Sequence, residues 1–249
     1  MKRNRQVVQE RRENKKAKRG RIISNHAEQE ISVAPPVFPK NEFQRDLITS
    51  LDSFEVTIAE APAGAGKSFI VMSKVADWLK SGKIDKIILS RPAVGMGNTL
   101  GLLKGGMREK FEPYLLSLVD VITQRYGYGF YETCISNKTI EFVPVEYVRG
   151  RSFNGAVVII DEAQNLTPKE TYAIMTRLGE ESKMVFLGDR TQNDMKGRTG
   201  IEWAIDFCDR HGLTDNLVSV VEGDSDDIVR SGFCKAVVKG MEKDGGINR

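Results

Sequence analysis

The sequence predicts a single α/β domain, a mostly parallel sheet with helices on both faces. Three observations predict it. Short β-branched runs alternate with amphipathic segments from residue 41 to residue 239, the order that produces parallel strands joined by helical crossovers. Two of those runs, "AVVIID" (156–161) and "KMVFLGD" (183–189), are almost wholly apolar and end in Asp, as strands buried on both faces do. At 249 residues, 40% hydrophobic and 29% charged, the chain is long enough for one full core and too short for two of ordinary size with linkers.

The elements follow in order. Residues 1–21 carry ten Lys/Arg against Glu10 and Glu13, a net of +8 that leaves the remainder at −5 in a chain of net +3. Such a block buries too little apolar surface to offset the entropy of ordering, so a disordered basic arm is expected. It suits either phosphate-tracking contact with nucleic acid or a solubility role. "SVAPPVFPKN" (32–41) reads as an extended linker. Residues 1–40 are therefore expected to be arm and Pro-rich linker, and 41–249 the folded domain. "NEFQRDLITSL" carries a helical stripe of Phe43, Leu47, Ile48 and Leu51. "FEVTIAEA" (54–61) is a strand running into a glycine loop, and "SFIVMSKVADWLKSG" (68–82) a helix closed by Gly82. "KIILSRP" (86–92) is a second strand, followed by a glycine-rich basic stretch and a helix over 113–126. A strand is expected near the start of 139–150, then strands at 156–161, 183–189 and 217–223. Helices are expected at 168–178, 200–211 and 225–239. "RYGYGFYET" (125–133) reads as a packed hairpin or turn, with base stacking as the other use of its aromatics.

Other features narrow the class. No apolar run approaches the roughly 18 residues of a membrane span, and the basic N-terminus lacks the apolar stretch of a secretory signal. Cys134, Cys208 and Cys234 are odd in number and widely spaced, and only His26 and His211 accompany them. Reduced thiols, a cytoplasmic location and no zinc site are expected.

The chemistry lies at the strand ends. "EAPAGAGKSF" (60–69) matches the phosphate-binding pattern G-x-x-x-x-G-K-[ST] except that Ala61 holds the place of the first glycine. Pro62 confines the residue before it to extended geometry, where alanine is unstrained. Gly64 and Gly66 let the backbone approach phosphates, with Pro62, Ala63, Ala65 and Phe69 completing the loop. Lys67 can reach the β and γ oxygens, and Ser68 can ligate Mg²⁺. An ordinary glycine turn would also account for the loop taken alone. "AVVIIDEAQN" then places Asp161 and Glu162 past a buried strand, one to hold Mg²⁺ and the other to orient or deprotonate water. An acidic helix start explains one such carboxylate, not a strand-end pair beside a phosphate loop. Gln192 in "LGDRTQND" can bond the γ-phosphate or the attacking water, with an ordinary polar loop as the other reading, and Gln44, about 20 residues before the loop, can read adenine's edge through its amide.

"APAGAGKS", "SRPAV", "YVRGRSFNGAVVIIDEAQN", "TRLGEESKMVFLGDRTQND" and "DDIVRS" together resemble the PhoH-like family over residues 41–240. The resemblance implies a single RecA-like P-loop NTPase domain, related to the core of superfamily 1 helicases, with an extra strand between the two motif strands. It implies ATP and Mg²⁺ as ligands and nucleic acid, RNA or single-stranded DNA, as partner. Gln44 matches the adenine-reading glutamine and Gln192 the γ-phosphate sensor. Arg91, Arg149, Arg151 and Arg230 fall in arginine-bearing segments, although "RSGF" departs from the family's ending after the arginine. One such domain lacks the second that related helicases use. A head-to-tail ring, a hexamer by the resemblance, is therefore expected, with Arg230, Arg149 or Arg151 acting across the interface. An ATP-switched nucleic-acid-binding module and a small-molecule phosphotransferase are the competing functions.

Overall fold

The computed structural model describes residues 34–92, 107–148, 150–193 and 197–244, and from Pro35 onward the chain is one compact unit. The basic arm, most of the glycine-rich stretch including Lys104, and Arg149 lie outside the described residues.

Helix α1 (Glu42–Ser53) starts at Asn41, whose side-chain oxygen accepts the Gln44 N–H at 2.9 Å. Strand β1 (Val56–Glu60) leads through the glycine loop into α2 (Lys67–Ser81), which Gly82 ends in left-handed geometry. Strand β2 is Lys86–Ser90. After α3 (Met107–Phe111) and a 3-10 turn come α4 (Leu116–Tyr126) and α5 (Tyr128–Ser136). Strand β3 (Ile140–Phe142), the short helix α6 (Val145–Val148) and β4 (Ala156–Ile160) follow. Helix α7 (Pro168–Met175), β5 (Lys183–Gly188), α8 (Gly200–Arg210), β6 (Val218–Glu222) and α9 (Gly232–Asp244) complete the order.

The six strands form one sheet in the order β3-β2-β4-β5-β1-β6, every pair parallel. Strand alternation divides the core in two. Ala59, Leu89, Ile159 and Leu187 pack with α1, α2, α4 and α5, whereas Ile58, Ile88, Ile160 and Phe186 pack with α6, α7 and α8. Helices thus cover both faces, and β5 lies between β1 and β4, as the resemblance implies. The loops that leave β1, β2, β4, β5 and β6 emerge at one edge of the sheet, where open α/β sheets take their ligands.

Two expectations change. The aromatics of 125–133 do not form a hairpin; they lie on α4 and α5, with Gly127 (φ +80°) making the turn between the two helices. Tyr131 is fully buried and its hydroxyl donates to Glu112 at 2.8 Å, a helical packing that the glycines disguise. The helix placed at 225–239 is a 3-10 turn at Ser225–Asp227 followed, after a break, by α9 from Gly232. The break exists because Val229 N–H bonds to Gly64 O at 3.0 Å, a partner that helix would exclude. The strand expected near the start of 139–150 is β3, and residues 145–148 after it form a helical turn.

Helices α7 and α8 both open with capping boxes, Thr167 with Glu170 and Thr199 with Glu202. They meet at Gly200, whose N–H bonds to Leu166 O at 2.6 Å. A Cβ at Gly200 would lie 2.8 Å from Thr167 O and 3.0 Å from Leu166 Cβ. This close approach clamps the segment that follows β4. Gly200→Ala is expected to cost about 1–3 kcal/mol, read as a lower urea midpoint at unchanged slope. An unchanged midpoint would show that the two helices have room to spare.

Candidate functional site

The loop between β1 and α2 is shaped by two glycines in left-handed geometry, Gly64 (φ +94°) and Gly66 (φ +91°). Ala61 needs no such freedom. Its N–H bonds to Gly188 O at 3.2 Å, extending the β1–β5 ladder by one residue, and its φ is not positive. The altered first letter of the motif therefore falls where the backbone is still strand. Pro62 and Ala65 are buried, Ala63, Lys67 and Ser68 half-buried, and Phe69 exposed. The free amides at the start of α2 face the strand-end edge, where a helix terminus favours an anion.

Gln44 supports this loop from below. Its Nε2 donates to Ala65 O at 2.8 Å, and its Oε1 accepts the Lys40 N–H at 2.9 Å. A Cβ on Gly66 would lie 2.6 Å from Gln44 Nε2, so this position excludes a side chain sterically as well as by φ. One amide N–H and one oxygen lone pair of Gln44 remain beyond these bonds. From the other side Ile228 and Arg230 cover Gly64, a Cβ on which would lie 3.2 Å from Arg230 Cδ. Arg230 thus packs its methylenes on its own chain's loop and is otherwise exposed.

Lys67 folds back on the loop, its ammonium donating to Ala61 O and to Pro62 O, the latter at 3.2 Å. Burial pushes its pKa down, opposed by Asp189, Asp161, Glu162 and Glu60. Asp161 follows β4, its N–H bonding to Ser90 O at 2.9 Å. It is buried, and desolvation together with the neighbouring Glu162 raises its pKa to about 6, with Arg91 and Lys67 pulling the other way. Glu162 adopts left-handed backbone geometry at φ +52° and ψ +39°, a conformation uncommon outside glycine and frequent at functional sites. Its Oε2 accepts Gln164 Nε2 at 2.6 Å, and its Oε1 lies 3.8 Å from Arg91 Nη2. Arg91 is fixed by donating to Tyr114 O at 2.8 Å.

Sequence reasoning missed Asp189 and Gln164 as site residues. The Asp189 carboxylate accepts Ala63 N–H at 2.8 Å, Gln192 Nε2 at 2.9 Å, Thr191 N–H at 2.9 Å and Thr191 Oγ1 at 2.6 Å. It joins the loop after β5 to the phosphate-type loop after β1. Gln164 accepts Asp189 N–H at 3.1 Å while donating to Glu162. The available signals were the Asp that ends the apolar run at 183–189 and the Gln two places after Glu162. Nearby, Arg190 pairs with the buried Glu60, and with Glu222 at 2.7 Å; burial nonetheless raises the Glu60 pKa. Of the remaining arginines, Arg151 donates to Glu141 at 3.0 Å and lies over Phe153.

Lys67, Asp161, Glu162 and Asp189 are thus brought together, Gln192 is held beside them, and Gln44 lies on the far side of the loop. A buried carboxylate whose pKa lies at about 6 is a cost to the fold whenever it is ionised. The folded chain holds that proton more tightly than the unfolded one, so stability falls as pH rises from the ordinary carboxylate range through about 6. Asp161→Asn should therefore raise the unfolding free energy of the nucleotide-free protein by about 2 kcal/mol well above that pKa, and by much less near pH 4. Denaturant midpoints at the two pH values check it; a gain independent of pH would assign the effect to something other than charge burial.

The family model for PhoH-like protein matches residues 36–242. The PhoH-like protein of Bacillus subtilis (strain 168) is 37% identical over 202 residues, 80% of this chain and 62% of that protein. Protein PhoH of Escherichia coli (strain K12) is 35% identical over 204 residues, 80% of this chain and 56% of that protein. The chain thus matches only about 60% of the length of these curated relatives. Among solved structures, the large terminase of a thermophilic bacteriophage superposes with a TM-score of 0.51 at 12% identity, covering 81% of this chain and 49% of the terminase. That likeness concerns the fold alone. With the family match spanning most of the sequence, the chain belongs to the PhoH-like family.

Proposed function

We propose that the chain is a Mg²⁺-dependent ATP hydrolase that acts on nucleic acid, RNA or single-stranded DNA, to remodel or unwind it. One observation carries the hydrolase reading: Lys67 at the head of α2 faces the Asp161–Glu162 pair from the end of β4 across a single strand. In this reading the amides of Gly64 and residues 66–68 and the Lys67 ammonium hold the triphosphate, releasing the lysine from Ala61 O and Pro62 O. Gln44 offers its remaining N–H and lone pair to adenine. Asp161 and Ser68 would hold Mg²⁺. Their fit rests on Asp161, a buried carboxylate pushed up to about 6 by burial and a like-charged neighbour, which a divalent cation would relieve. Bound Mg²⁺ supplies charge stabilisation to the phosphate oxygens as the reaction proceeds. Glu162 orients the attacking water and takes its proton, and Gln192, tied to Asp189, reports the γ-phosphate.

Nucleic acid as partner is supported by the arm of net +8 at residues 1–21. Among the described residues no helix is long and apolar enough to cross a membrane. A head-to-tail ring, hexameric by family likeness, would bring an arginine from a neighbouring copy to the γ-phosphate. Arg149 and Arg230 are the candidates for that role; Arg151 already has an ion-pair partner in Glu141.

Lys67→Ala should weaken binding of a fluorescent ATP analogue by about 10-fold or more. Glu162→Gln should hold binding within about 3-fold while lowering kcat by about 10²–10³. Equal loss of binding in both variants would sink these roles. Removal of residues 1–21 should flatten the salt dependence of RNA or single-stranded DNA binding by about 0.7 in log-log slope per lost phosphate contact. An unchanged slope would return the arm to a solubility role.

A further inference from the structure

Glu162 would act only with its carboxylate aimed at the attacking water, and nothing in its own short side chain fixes that aim. Its backbone is already in a sparsely populated region, at φ +52° and ψ +39°. The closest bond its carboxylate makes is to Gln164, at 2.6 Å to Oε2, whereas the Arg91 guanidinium stands off at 3.8 Å from Oε1. Gln164 itself is almost wholly buried, with 1% of its surface exposed. Its position is fixed at the other end of the amide, where Oε1 accepts Asp189 N–H at 3.1 Å. Its Nε2 also lies 3.4 Å from Gln192 O. A buried amide with both ends engaged cannot rotate without leaving polar atoms unpaired, at about 1–3 kcal/mol each.

We propose that Gln164 is the positioning residue of the hydrolytic centre: by donating to Glu162 while anchored on Asp189 N–H, it sets the pose in which Glu162 meets water. The anchor is the residue whose carboxylate caps the Ala63 N–H of the phosphate loop at 2.8 Å. The pose of Glu162 is thereby tied to the loop that holds the triphosphate, through three consecutive bonds and no flexible surface side chain. The proposal rests on Glu162 being the group that activates water.

The test uses the full chain with Mg²⁺ and ATP, and compares Gln164→Ala, Gln164→Glu, Glu162→Gln and the double variant Glu162→Gln with Gln164→Ala. Gln164→Ala should lower kcat by about 10–100-fold with affinity for a fluorescent ATP analogue within about 3-fold. Gln164→Glu keeps an acceptor for Asp189 N–H but replaces the donor to Glu162 with a carboxylate oxygen. A residue that merely braced the loop would be rescued by it, so kcat should stay low. In the double variant the loss should be no larger than for Glu162→Gln alone, because the two residues act as one unit. Activity restored by Gln164→Glu, or losses that multiply in the double variant, would overturn the positioning role. Should Gln164→Ala fail to fold, seen as lost analogue binding, Gln164→Glu decides the matter by itself. Parent-like turnover in Glu162→Gln would remove the water-activating role and the positioning role with it. A dead Glu162→Gln beside fully active Gln164 variants would remove only the second.

Discussion

The loops at this sheet edge depend on Asp189. It stands at the end of β5, the strand between the one that leads to the glycine loop and the one that leads to the acid pair. Its two oxygens accept four hydrogen bonds, from Ala63 N–H, Gln192 Nε2, Thr191 N–H and Thr191 Oγ1, about as many as a carboxylate has lone pairs to offer. Parallel register alone would place the three loops side by side. The carboxylate ties two of them together and the Asp189 N–H, bonded to Gln164 Oε1, ties in the third, through bonds partly shielded from water.

The electrostatic balance of the site follows from that packing. Asp161, Glu162, Asp189 and Glu60 all act on Lys67, which is itself turned toward loop carbonyls. Burial comes first, and like-charged neighbours second, in raising the pKa of Asp161 and of Glu60. Such an arrangement is poor for the stability of the free chain and of the kind that clusters at functional sites. Arg190 answers part of the excess toward the β6 edge of the sheet, where it joins Glu60 to Glu222.

Much of the fold was legible because period-2 and period-3.6 patterns survive in single segments. The strands at 56–60, 86–90, 156–160 and 183–188 and the stripe of α1 lie where their apolar residues indicated. What was not legible came from distant partners. Tyr131 is helical and buried because Glu112 takes its hydroxyl and Arg108 lies over its ring, whereas locally "YGYGFY" carries the marks of a turn. The start of α9 is set by Gly64, far away in sequence. In the candidate site, the loop and the acid pair were visible as types and spacing. Gln164 and Asp189 were not, since their significance lies in one bond to each other across 25 residues.

The support beneath the phosphate loop carries a mechanical consequence. Lys40 N–H, the Gln44 amide and Ala65 O form an unbroken relay of two hydrogen bonds. Asn41 adds a tie to Asp227 O at 2.8 Å, next to the segment that covers Gly64. A shift of the backbone at Lys40 is therefore felt at Ala65 through one side chain of α1. The coupling runs both ways, so a loop held still would hold Lys40 in turn.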